Sequence, residues 1–107
     1  MAKTTTYYAQ TSEIDLLVER FGPQLQEFNR DDKLALRAVL ALWCYWHEIE
    51  DSYSLEDALG ECPIGPIDAP EDISPDIEEA IAILDGIQPR DVDGLLEALT
   101  AQIREGR

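Results

Sequence analysis

The chain's single histidine, His47, follows Cys44 by three residues and precedes Asp51 by four. On a helix, that spacing brings Cys44, His47, Glu48 and Asp51 toward one face. Thiolate, imidazole and carboxylate are ligands that zinc accepts, and Cys62 is the one further thiol. Yet a CxxH pair is only half a site, and no second Cys/His pair completes it. The reading is a packing histidine at the edge of an apolar helix face and two reduced thiols, with no metal ligands and no cofactor.

Catalytic patterns fare no better. The sequence holds no Ser/His/Asp order, no HExxH and no glycine-rich phosphate loop. The acidic run "DAPEDISPDIEE" lacks the alternating oxygen ligands and central glycine of a calcium loop. Carboxylate pairs abound, but 23 acids in 107 residues make them inevitable. No catalytic residue is assigned, and a non-enzyme is expected.

The distribution of charge is more informative. Eight bases against those acids leave a formal net charge of −15. Residues 1–40 carry six acids and five bases, and residues 90–107 four acids and three bases. Residues 41–89 carry thirteen acids and neither Lys nor Arg. A field of that sign repels nucleic acid and anionic membrane, and it attracts basic surfaces over ~8 Å at physiological salt. Direct nucleic-acid binding is therefore disfavoured and a basic protein partner favoured.

Positioning those acids falls to helices. Ser12 reads as a cap, followed by Ile14, Leu17, Phe21, Leu25 and Phe28 at helical spacing. Gly22-Pro23 interrupts the stripe without changing its phase, which predicts two collinear pieces. Capped by Asp31 or Asp32, a central helix over about 33–51 carries two apolar sectors. Leu34, Ala35, Ala38, Leu42, Tyr45, Trp46 and Ile49 form the larger, read as core. Leu36, Leu40 and Trp43 form a second, taken as a face for a homodimer unless other helices wrap it. Ser54 caps a short helix and Ser74-Pro75 starts another, which Gly86 ends. A last helix follows Pro89. Residues 1–11 read as a flexible arm, 12–105 as one helical domain, and 61–74 as a proline-rich loop.

The expected fold is an all-α bundle of four to five helices around the central one. Its core should include Leu17, Phe21, Leu25, Leu34, Ala38, Leu42, Trp46, Ile77, Ile81, Leu84, Leu96 and Leu99. With an apolar run of only nine residues at its longest, Ala38–Trp46, no membrane span is expected. The chain reads as soluble and cytoplasmic.

Functionally it reads as a small acidic, non-catalytic adaptor or regulator that binds a basic protein surface or self-associates. Glu48, Asp51, Glu56, Asp57, Asp68, Glu71 and Asp72 would steer a basic partner, with Tyr53, Ile64 and Ile67 as anchors. The alternative is a nucleic-acid mimic, an inhibitor or antitoxin of a DNA- or RNA-binding protein. Helical acids such as Glu71, Asp72, Asp76 and Glu79 recur at steps of ~5–6 Å, which suits that role.

Overall fold

The computed structural model describes residues 4–64 and 73–106. Among them every regular element is a helix: α1 (Thr5–Tyr8), α2 (Ser12–Phe21), α3 (Arg30–Ile49), α4 (Leu55–Glu61), α5 (Pro75–Ile83) and α6 (Pro89–Arg104). The all-α bundle is thus established, with six helices among the described residues where four to five were expected, the addition being α1 in the stretch read as an arm. Of the described helices, none is long and apolar enough to cross a membrane.

Helix starts follow from side chains that hold the first free N–H groups. Ser54 and Asp57 form a reciprocal capping box on α4, at 3.0 and 2.9 Å. The Ser74 hydroxyl accepts from Asp76 N at 3.3 Å, with Pro75 in the first turn of α5. Two caps sit one to three residues before their expected places. Thr11, not Ser12, accepts from Ile14 N, and Asn29, not Asp31 or Asp32, accepts from Asp32 N at 2.7 Å. In both cases the expected cap is itself inside the helix.

The segment after α2 does not continue collinearly. Gly22 adopts φ +100°, and a Cβ there would meet the Gln26 side chain at 2.4 Å. Leu25, at φ +51°, lies in the left-handed region. The chain turns, yet Leu25 and Phe28 remain buried, and Phe28 stacks on Phe21 at 4.2 Å. The preserved apolar phase therefore reflects one core reached from a turn rather than one continuous helix.

α3 packs most extensively on α6, and also on α4 and α5, which makes it the central helix. Its core face is the reverse of the one expected. Leu36, Val39, Leu40 and Trp43 are buried, whereas Ala38 is exposed, Leu34 and Leu42 are half-buried, and Trp46 is 41% exposed. Val39 explains this, because it joins Leu36, Leu40 and Trp43 into an unbroken i, i+3, i+4, i+7 stripe. Leu36, Leu40 and Trp43 consequently belong to the chain's own core and present no dimer face. Lys33 lies at the start of the same face, fully buried, with its Nζ donating to Gln24 O at 3.0 Å. Its apolar stem can pack while its head holds the 22–25 turn.

Leu17, Phe21, Leu25, Ile77, Ile81, Leu84 and Leu99 are buried as expected, and Leu96 is half-buried. Residues 4–11 do not form a free arm. Thr5 is buried, accepts at its hydroxyl from Gln102 Nε2 at 3.0 Å, and donates its N–H to Pro23 O at 2.8 Å. The absence of a side chain at Gly94 admits this segment, since a Cβ there would fall 2.6 Å from both Tyr8 O and Ala9 Cβ.

Candidate functional site

Burying Leu36, Val39, Leu40 and Trp43 turns the opposite side of α3 to solvent. Toward its C-terminal end that side carries Tyr45 and Ile49, 62% and 63% exposed, with Trp46 at its margin. Tyr45 and Trp46 meet edge to face at 5.3 Å, and Trp46 lies 6.3 Å from the Tyr53 ring. Single exposed apolar residues are ordinary on protein surfaces; here three large ones fall within five residues at one helix end.

The charged residues beside this cluster on α3 are negative. Glu48, Glu50 and Asp51 are all exposed at the end of α3. Three arginines elsewhere in the bundle are engaged with their own surroundings, whereas Arg90 and Arg104 stand exposed on α6. Arg20 reaches Glu79 at 2.8 Å and lies 3.9 Å from both Glu27 and Asp76. Arg30 donates to Ile103 O at 2.8 Å, and Arg37 to Thr100 Oγ1 at 3.4 Å.

Two grooves flank the exposed cluster. The first, of about 390 Å³, separates the end of α3 from the start of α6 and is lined by Cys44, Tyr45, Glu48, Ile49, Pro89 and Asp93. Burial, aided by the Asp93 charge, pushes the Cys44 thiol up to about 11, and burial raises Cys62 as well. Neither thiol has the depressed pKa of a nucleophile. The second groove, of about 280 Å³, includes Trp43, His47, Asp51, Tyr53 and Asp85.

His47 stacks on Trp43 at 4.6 Å, and its Nδ1 lies 3.3 Å from the Tyr53 carbonyl. A carbonyl can only accept, so the hydrogen bond assigns a proton to Nδ1. The Cys44, His47, Glu48 and Asp51 set does not converge, since Cys44 and Glu48 line one groove and His47 and Asp51 the other. Among the described residues no group of three His, Cys, Asp or Glu side chains is placed to hold a metal ion.

The expected partner-binding residues are dispersed. Glu48 and Asp51 border the exposed cluster, while Glu56 and Asp57 are exposed on α4, the latter bonded to its own helix start. Tyr53 is half-buried and donates its hydroxyl to Glu61 Oε2 at 2.6 Å. Ile64 packs half-buried against the core rather than standing out as an anchor. Ile67, Asp68, Glu71 and Asp72 lie outside the described residues. The expected set omitted Tyr45, Trp46, Ile49, Pro89 and Asp93. Val39 was the available signal for the first three, because it fixes the inward face of α3 and so frees the other. No sequence signal paired α3 with Pro89 and Asp93.

Compared with known proteins, the chain matches no family model, no curated protein and no solved structure.

Proposed function

We propose that this chain is a small acidic, non-catalytic interaction module of the cytoplasm, an adaptor or regulator that binds a basic protein surface. One observation carries the reading: Tyr45, Trp46 and Ile49 stand exposed at the end of α3 amid Glu48, Glu50 and Asp51, inside a stretch without Lys or Arg. Acids at a rim accelerate encounter with a basic partner, and aromatic or aliphatic anchors at the centre slow its departure. A nucleic-acid mimic would need rows of carboxylates in place of phosphates. Here an apolar cluster interrupts the acids, which favours a protein-binding face.

The test compares capture by the wild-type chain with capture by a Tyr45→Ser, Trp46→Ser, Ile49→Ser variant from the native lysate, at low and moderate salt. The expected outcome is a defined basic protein held by the wild type, weakened by salt and lost with the variant. Equal retention by both proteins would place the binding surface elsewhere. Displacement of the captured partner by DNA would favour the mimic, and turnover of a metabolite by the purified chain would overturn both readings.

A further inference from the structure

The groove between the end of α3 and the start of α6 combines two chemistries. Tyr45, Ile49 and Pro89 give it apolar walls, while Glu48 and Asp93 add two carboxylates. Neither acid has an ion-pair partner among the described residues: Arg20, Arg30 and Arg37 are held elsewhere in the bundle, and Arg90, exposed beside Pro89 at the start of α6, bridges to neither. A long apolar stem ending in a cation matches both parts of such a groove. Tyr45, largely exposed, offers a ring face on which a planar cation can stack.

Resting on the binding reading above, we propose that this groove receives an arginine side chain from a basic segment of the partner protein. The stem lies along Tyr45, Ile49 and Pro89, and the guanidinium turns toward Glu48 and Asp93. Arginine fits better than lysine because its flat, weakly hydrated head both stacks on an aromatic ring and forks to carboxylates. A second copy of this chain fits poorly. Pairing through the same face would set Glu48, Glu50, Asp51 and Asp93 against their own counterparts, and like charges across an interface reject a partner.

The experiment uses three synthetic amphipathic helical peptides that differ only at the positions flanking a leucine ridge: arginine, lysine, or citrulline, the neutral isostere of arginine. Each is titrated into the full chain and followed by amide NMR. Shifts should centre on residues 44–49 and 90–93, with the arginine peptide binding about fivefold tighter than citrulline and lysine falling between. Glu48→Gln with Asp93→Asn should erase the arginine preference, and circular dichroism should confirm that the variant remains folded. Equal binding of arginine and citrulline peptides, a preference that survives the double variant, or no shift at the groove would each overturn the proposal. If Tyr45→Ser with Trp46→Ser still weakens every peptide, the binding face itself stands. Peptide binding indifferent to that second variant would overturn the face and the groove together.

Discussion

Trp43 donates its indole N–H to the main-chain carbonyl of Tyr53 at 3.0 Å, across the turn that joins α3 to α4. The same carbonyl receives His47 Nδ1 at 3.3 Å, so one acceptor gathers two rings of α3. Tyr53 immediately precedes Ser54, the cap of α4, and the bond therefore sets where the next helix starts. A buried tryptophan needs a partner for its N–H, and this turn supplies it.

Trp43→Phe removes that donor and part of the ring from the core. The expected cost is about 2–3 kcal/mol, from one hydrogen bond and the lost packing. Urea denaturation at unchanged slope measures it. A loss below ~0.5 kcal/mol, the range of a bland surface change, would mean that the bond does not hold the turn.

The two faces of α3 should respond oppositely to truncation. Leu40→Ala empties a fully buried site and is expected to cost ~2–5 kcal/mol. Trp46→Ser and Ile49→Ser, on the exposed side, should stay within about 0.5–1 kcal/mol of the wild type. Chemical denaturation of all three variants settles the orientation of the helix. Comparable losses at positions 40 and 46 would reverse it.

Gly94→Ala tests the seating of the N-terminal segment. The added methyl would meet Tyr8 O and Ala9 Cβ at 2.6 Å, and the former is backbone that cannot rotate away. Overpacking of this kind costs ~1–3 kcal/mol. The stronger readout is limited proteolysis, in which cleavage within residues 4–11 should accelerate relative to the rest of the chain. Unchanged cleavage would show that α1 tolerates displacement from α6.

Tyr53 predicts an alkaline loss of stability. Burial, the hydrogen bond to Glu61 and neighbouring acids hold its phenol up to about 12 from an ordinary 10.0. Between those values the folded chain binds more protons than the unfolded one, so this group's contribution declines as pH rises. Tyrosinate absorbance should show one late-titrating phenol that disappears in Tyr53→Phe, together with a shallower fall of stability above pH ~10. An unaltered titration curve would refute the assignment.

Local signals in the sequence carried most of the architecture. Ser54, Ser74-Pro75 and Pro89 marked helix starts, and Ile77, Ile81, Leu84 and Leu99 marked core, because caps and apolar spacing act over a turn or two. What escaped depended on distant partners. Nothing near Gly94 reveals that Tyr8 and Ala9 will rest on it, and nothing near Asp93 reveals that Cys44 will face it. On α3, apolar residues exist on both sides, so local pattern alone weighed total bulk and chose Trp46 over Val39. Which side turns inward is decided by α4, α5 and α6, all made later in the chain.

That order has a consequence during synthesis. α3 is complete at Ile49, but its most extensive packing partner is complete only at Arg104. At ~5–20 residues per second, the nascent chain carries Leu36, Leu40 and Trp43 for several seconds before α6 can cover them. Thr5 waits longer still for Gln102. Until α6 emerges from the ribosome, this acidic chain offers a greasy helix to any chaperone that meets it, and α1 can dock on α6 only after that.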